Sequence, residues 1–259
     1  MNYWTELSIE YASQRSYLDD LFKVYPTIPE GIRKIDSNKW NNVEKAFEEQ
    51  NNVSLIKELL NMDLFPIKDS YVAYLKRDPS SIDRNPATIE RLCGRLYEMG
   101  LENIFKKCTE PKETNRQIGP MFRRWIKEGY LGVPILNHDD FVRSEGNAIL
   151  DGSDNELGNF ARNYLDYSNE KGLDFIARFN GKYVIGEAKF LTDFGGHQNA
   201  QFNDAMAVLE ENKSAAVKIA ILDGVLYIEG RNKMHKYLSL NNTFNIMSSL
   251  VLREFLFQL

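Results

Sequence analysis

The chain has 259 residues, 43% of them hydrophobic and 27% charged, with a net charge of −5. This is the composition of a soluble globular protein of one large or two modest domains, and no apolar run approaches the length of a membrane span. The net acidity does not exclude a nucleic-acid partner, because such binding depends on where charge lies and not on its sum.

The opening MNYWTELSIEYASQ has acids early and no basic start followed by an apolar run, so it is not expected to be a secretory signal. Tyr3 to Val24 reads as a mixed amphipathic stretch stopped by Pro26 and Pro29. Lys39 to Leu60 carries Trp40, Val43, Phe47, Val53, Ile56 and Leu59 near helical spacing. A short helix is predicted over Asp69 to Lys76. Another opens at Pro86, with Ile89, Leu92, Leu96 and Tyr97 on one face and Gly100 as its stop. Cys93 and Cys108 show neither a disulfide framework nor metal-ligand spacing, which predicts two reduced thiols in a cytoplasmic protein. From Lys106 to Leu131 seven basic residues face three acids, and Arg231, Lys233, His235 and Lys236 form a second small basic cluster. Surface solvation explains such clusters as well as DNA does. Met121 to Glu128 reads as a further short helix.

Beyond about residue 130 the pattern changes. Ser153-x-x-Glu156 fits a capping box opening a helix through Leu165. Two hairpins are predicted at Asx-Gly turns, one at Asn180-Gly181 and one at Asp223-Gly224. Between them Gly195-Gly196 leads into a helix from His197 to Glu211, whose buried stripe would be Phe202, Ala205, Met206 and Leu209. There are no repeats and no low-complexity linker. The fold class expected is therefore α/β (mixed α+β), with a mainly helical region over 1–130 and an α/β core over 131–259, the two being separate or one continuous domain.

The first hairpin carries the chemistry. If Asn180 and Gly181 form a two-residue loop, Phe179 pairs with Lys182 and Asp174 falls opposite Glu187. Asp174, Ile176 and Arg178 then share a face with Tyr183, Ile185, Glu187 and Lys189. Leu173, Phe175, Ala177, Phe179, Val184, Gly186 and Ala188 take the other, apolar face. Two carboxylates directly across a ladder repel, so a fold that keeps them needs a compensating cation. Hard oxygen ligands of this kind suit Mg²⁺, which binds one or two protein carboxylates and leaves other positions to water and phosphate. The plainer alternative is that Lys189 merely bridges two surface acids. Glu-x-Lys is a cheap motif, matched also by Glu110-Pro111-Lys112.

GLDFIARFNGKYVIGEAKF, with an Asp on one strand and Glu-x-Lys on the next, resembles the signature of the PD-(D/E)XK nuclease superfamily. NRQIGPMFRRWI, ILDGSDNELGNFA and EAKFLTDFGGHQNAQFNDA resemble its type II restriction endonucleases. The residue before Asp174 departs from the signature, being Leu173 and not Pro. The resemblance implies a restriction-endonuclease-like core, a central mixed β-sheet flanked by helices, with the helical region serving DNA recognition and dimerisation. It implies catalytic Asp174, Glu187 and Lys189, with Mg²⁺ held by the two carboxylates and the Ala188 carbonyl. The activity implied is sequence-specific hydrolysis of double-stranded DNA by in-line attack of water, leaving 5′-phosphate ends. A homodimer, a protecting methyltransferase as genetic partner and a bacterial or archaeal cytoplasm follow from the same resemblance.

Further candidates are weaker. Glu156 is either an extra metal ligand or the reciprocal cap of Ser153. Gln198 and Gln201 would share the helix face opposite the apolar stripe, either to meet DNA phosphates or a metal-bound water or simply as a solvated face. Asn115, Arg116 and Gln117, with Arg84, Asn85 and Thr88, have the side chains that read base edges, and Arg91 and Arg95 suit phosphates. His138, His197 and His235 show no metal spacing, and no Gly-rich phosphate loop points to a nucleotide cofactor. A structure-specific or repair nuclease of the same fold, and a non-catalytic DNA-binding protein, remain open on sequence.

Overall fold

The computed structural model describes residues 1–14, 16–26, 33–111 and 118–259. The chain forms two compact units, one joining Met1–Thr27 to Thr114–Leu259, the other being Ile28–Glu113. Residue 130 lies within the first of these units, where the N-terminal helices group with the sheet. Helix Tyr3–Ala12 and helix Tyr17–Val24 are hooked to it by polar contacts that no local pattern announces. The Thr5 hydroxyl donates to the Ile246 carbonyl at 2.8 Å, and Ser8 Oγ accepts from Ser248 N at 2.9 Å. The Tyr25 hydroxyl donates to Asp223 Oδ2 at 2.9 Å, and Gly224 N donates to the Tyr17 hydroxyl at 3.1 Å. Asp223 is fully buried, and burial pushes its carboxyl up from the ordinary range. It is satisfied by Tyr25 and by the Ser248 hydroxyl at 2.5 Å.

Among its described residues the Ile28–Glu113 unit has helices joined by turns and no strand. The stretch expected over Lys39 to Leu60 is two helices, Ser37–Glu48 and Asn52–Leu60. They part where Gln50 adopts φ 50° and the Asn51 side chain accepts from Ser54 N at 3.1 Å, capping the second. Asp69 caps helix Ser70–Arg77 in the same way. Helix Pro86–Met99 starts and stops as Pro86 and Gly100 predict, but a further helix, Leu101–Cys108, follows at once. Val43, Leu55, Ile56, Leu59, Leu92, Leu96 and Ile104 form the core, and both cysteines are free thiols buried in it.

The other unit is built on a six-stranded sheet among the described residues, in sequential order. Its strands are β1 (Ile135–Leu136), β2 (Ala148–Leu150), β3 (Phe175–Phe179), β4 (Lys182–Leu191), β5 (Val217–Gly224) and β6 (Asn245–Met247). β2–β3–β4 is antiparallel, while β1 runs parallel to β2 and β5 and β6 run parallel to β4. Parallel neighbours need crossovers, supplied by helix Gly196–Leu209 between β4 and β5 and helix Lys233–Leu240 between β5 and β6. This is the mixed, helix-flanked sheet of a restriction-endonuclease-like fold.

The first hairpin has the expected register, Phe179 with Lys182 through Phe175 with Gly186. Asn180 (φ 49°) and Gly181 (φ 77°) make the tight turn. The second predicted hairpin does not exist. β5 runs on to Gly224, beside Leu191 of β4, and a 3-10 turn over Val225–Tyr227 follows. Gly224 is required by that close approach, since a Cβ there would lie 2.1 Å from the Leu191 carbonyl oxygen.

Both faces of the β3–β4 hairpin are buried. Phe175, Ala177, Phe179, Val184 and Ala188 join the core containing Met121, Phe122 and Trp125 of helix Ile118–Lys127. Ile176 and Ile185 join Phe141 and, from helix Asp154–Tyr164, Leu157 and Phe160. Leu173, expected on the Phe175 face, lies with Ile176 instead, because it precedes the regular strand and escapes its alternation. Arg178 is likewise buried, donating to the Phe141 and Gly146 carbonyls at 3.0 and 3.1 Å and to the Ser144 hydroxyl at 2.6 Å.

Candidate active site

The site forms where β3 begins and β4 continues past it. Ahead of β3, the chain is clamped against helix Asp154–Tyr164. Leu173 N donates to the Asp154 carbonyl at 3.1 Å, and a Cβ on Gly172 would meet that oxygen at 2.5 Å. Arg162 of the same helix donates to the carbonyls of Asn169, Glu170 and Lys171 at 2.9, 3.2 and 3.4 Å. The backbone on which Asp174 stands is thus fixed from one side by a helix and from the other by the ladder, where Asp174 N donates to the Gly186 carbonyl at 3.1 Å.

Asp174 and Glu187 are 8% and 3% exposed, so these are buried acids and not surface ones. Both face the Lys189 ammonium, Asp174 Oδ2 at 3.2 Å and Glu187 Oε1 at 2.5 Å. Asp174 Oδ2 also accepts from Ala188 N at 3.0 Å. A second cation, missed in the sequence, stands on the same Glu187 oxygen: Lys171 Nζ, 2.8 Å away, with Asp204 Oδ2 3.2 Å on its far side. The cation that the opposed carboxylates require is therefore supplied twice by the chain itself.

Electrostatics follow from this packing. Burial, then the charge of Asp174, raises the Glu187 carboxyl above its ordinary value, while Lys189 and Lys171 oppose the rise. Burial works to lower the Lys189 ammonium, but Asp174 and Glu187 outweigh it and hold it above the ordinary range. A half-buried lysine kept charged between two buried acids is the state suited to meeting a phosphate.

The donor chemistry fits a hard divalent cation. Two carboxylate oxygens converge on a single cation, the Lys189 ammonium, which shows that one positive centre can be shared between them. Residues of a strand point their N–H and C=O to the same side. Ala188 N turns toward Asp174, beyond the last β3–β4 pair, so the Ala188 carbonyl lies on that open side as a third oxygen. No group of three or more His, Cys, Asp or Glu able to hold a metal occurs among the described residues.

A model of the Tsp45I type II restriction enzyme family matches residues 2–259. The chain belongs to that family. Comparison with curated proteins and with solved structures gave no match. Membership makes the protein a type II restriction endonuclease, a site-specific deoxyribonuclease acting on DNA, and decides against the repair and non-catalytic readings left open by the sequence.

The remaining candidates of this restriction enzyme are placed unevenly. Glu156 forms the capping box: its Oε2 accepts from Ser153 N and Ser153 Oγ, both at 2.7 Å. The Ser153 amide and hydroxyl hold its carboxyl below the ordinary range. Gln198 is not on a solvated face. It is buried, and its Oε1 accepts from Thr192 N at 3.1 Å, fastening the end of β4 to the helix. It stands four residues before Phe202, so the helical stripe itself reaches it. Gln201 is half-buried and meets His197 at 3.2 Å. In the helical unit, Arg84 is tied to Ser80 and Asp78, both at 2.6 Å, and Asn85 donates to the Ser81 carbonyl at 2.7 Å. Arg84, Asn85 and Thr88 line a hollow of about 420 Å³ with Tyr71 and Tyr74. Arg91 pairs with Asp69 at 2.7 Å. Asn115, Arg116 and Gln117 lie outside the described residues. Asp151 was missed: with Arg123 and Lys127 it lines a hollow of about 20 Å³ beside Asp174, room for a single water-sized group, and it pairs with Lys127 at 2.8 Å. Its only sequence signal was its place just after an apolar triplet that proves to be β2.

Proposed function

We propose that this restriction enzyme hydrolyses double-stranded DNA with Mg²⁺ held by Asp174, Glu187 and the Ala188 carbonyl, leaving 5′-phosphate ends, and that Asp174, Glu187 and Lys189 are its catalytic residues. One observation carries the reading: two buried carboxylates, from just ahead of β3 and the middle of β4, share one half-buried ammonium. When bound, the ion would favour ionisation of a water and neutralise charge developing on the phosphoryl oxygens. Asp174 keeps its oxygen aimed by the Ala188 amide. Glu187, kept almost fully from solvent, holds its charge only against a cation, so its affinity for one is high in that setting. Lys189, charged and held by both acids, is placed to donate to a phosphoryl oxygen or orient the attacking water.

The test is cleavage of a long unmethylated duplex with Mg²⁺, comparing wild type with Glu187→Ala and Lys189→Ala. Discrete fragments are expected from wild type. Each variant should lose several orders of magnitude in rate yet bind cognate duplex in Ca²⁺ nearly as well. Near-normal cutting by both variants would refute the site.

A homodimer accords with a two-fold symmetric duplex site. A methyltransferase protecting the same sequence and a bacterial or archaeal cytoplasm complete the proposal. No helix among the described residues is long and apolar enough to cross a membrane. The Ile28–Glu113 unit and the segment Asn115–Gln117 are the proposed readers of sequence.

A further inference from the structure

The ammonium of Lys171 has no part in the motif, yet it stands on a catalytic carboxylate. Glu187 Oε1 accepts from Lys189 at 2.5 Å and from Lys171 at 2.8 Å, so one oxygen serves two cations. The two lysines differ in surroundings. Lys189 is 20% exposed by its side chain, Lys171 is 42%, and the latter's other partner, Asp204, is 56% exposed. Lys171 therefore sits at the rim of the site with its ammonium between a buried acid and solvent. Its backbone, in contrast, is immobilised: Arg162 holds the carbonyls of Asn169, Glu170 and Lys171, and Gly172 and Leu173 are pressed on Asp154. A fixed base with a solvent-reaching ammonium can exchange partners without moving the chain.

Resting on the metal reading above, we propose that Lys171 occupies Glu187 while the site is free of metal and passes to a DNA phosphate when a divalent ion takes that carboxylate. A single oxygen cannot serve two ammonium groups and a divalent ion without strong repulsion between them. Lys171 is the group able to leave, since Lys189 retains Asp174 as well as Glu187. What remains to Lys171 is the exposed pair with Asp204, and such pairs contribute little. A phosphate oxygen brought in by DNA offers the stronger, charge-assisted partner. The exchange makes Lys171 a positioning residue: it competes with metal in the absence of DNA and favours it in its presence.

The experiment uses full-length protein, with Ca²⁺ as the probe cation so that duplex stays intact. In the absence of DNA, the Ca²⁺ concentration that raises the melting temperature should fall about tenfold in Lys171→Met, the loss of one charge-assisted competitor. On cognate duplex in Ca²⁺, the slope of log affinity against log salt should become shallower by about 0.9, the signature of one lost phosphate contact. Lys171→Arg should keep the slope, and serves if Lys171→Met does not fold. An unchanged Ca²⁺ response or an unchanged slope in Lys171→Met overturns the exchange. Asp174→Asn separates this from the reading beneath it. A Ca²⁺ response that survives in Asp174→Asn, or is absent from every variant on and off DNA, removes the metal site itself. A response lost there but indifferent to Lys171 removes only the exchange.

Discussion

Removing Lys189 from the metal-free protein isolates its electrostatic role from any catalytic one. Its ammonium lies 2.5 Å from Glu187 and 3.2 Å from Asp174, both buried, while Lys171 reaches only Glu187. Lys189→Met keeps most of the side-chain volume but leaves Asp174 without a cation and the two acids facing each other. Breaking a buried pair by deleting one partner costs about 3–5 kcal/mol, and a domain of about 150–250 residues loses roughly 2–4 °C per kcal/mol. The sheet unit should therefore melt roughly 6–20 °C lower in EDTA at pH 8. The pH dependence fixes the cause. Burial, then Asp174, already raises the Glu187 carboxyl, and deleting Lys189 removes an opposing effect and raises it further. An acid whose folded value is raised destabilises the fold fully above that value, and the penalty fades as pH falls through it toward the unfolded value. The gap between Lys189→Met and wild type should accordingly narrow from pH 8 to pH 5. Adding Glu187→Gln should recover much of the loss, as a double-mutant cycle would show. A variant that melts within about 1 kcal/mol of wild type at pH 8, with no pH trend, would mean that the ammonium is not what offsets the paired carboxylates.

Gly172→Ala places a methyl 2.5 Å from the Asp154 carbonyl, so it should destabilise by about 1–3 kcal/mol and reduce cleavage by shifting Asp174; wild-type melting and rate would show that the clamp is loose. Arg116→Ala, and likewise Asn115→Ala or Gln117→Ala, should cost about 1–3 kcal/mol on the cognate site and much less on random duplex. Equal losses on both would reassign that residue to phosphate. Sedimentation should give a dimer on cognate DNA; a monomer that still cuts both strands would defeat the symmetric arrangement.

What the sequence disclosed was what local rules govern. Asn180-Gly181 dictated a turn, the turn dictated the register, and the register brought Asp174 to Glu187 and Lys189. The capping box and the Pro86 and Gly100 boundaries are equally local. Lys171 was invisible because its approach to Glu187 depends on Arg162 and Asp154 folding back against its backbone, contacts with no spacing signature. Asp223-Gly224 misled for a related reason. The same dipeptide that makes a hairpin also suits a buried acid satisfied by Tyr25 and Ser248 beside a glycine pressed on Leu191. Gln198 was misplaced by treating polarity as exposure, although its spacing from Phe202 put it on the buried stripe.

The hooks between Thr5 and Ile246 and between Ser8 and Ser248 span separations of 241 and 240 residues. On the ribosome the first helix, Tyr3–Ala12, waits for Ile246 and Ser248 until nearly the whole chain has emerged, since synthesis runs from the N-terminus and distant contacts form late. The intervening helical unit has its own core and can close meanwhile. A DNA-cutting enzyme built this way keeps its sheet incomplete during translation, so fragments released early should be inert as nucleases. Chains halted before Asn245 should show a protease-resistant 28–113 body and a protease-sensitive helix Tyr3–Ala12; early protection of that helix would contradict this order of assembly.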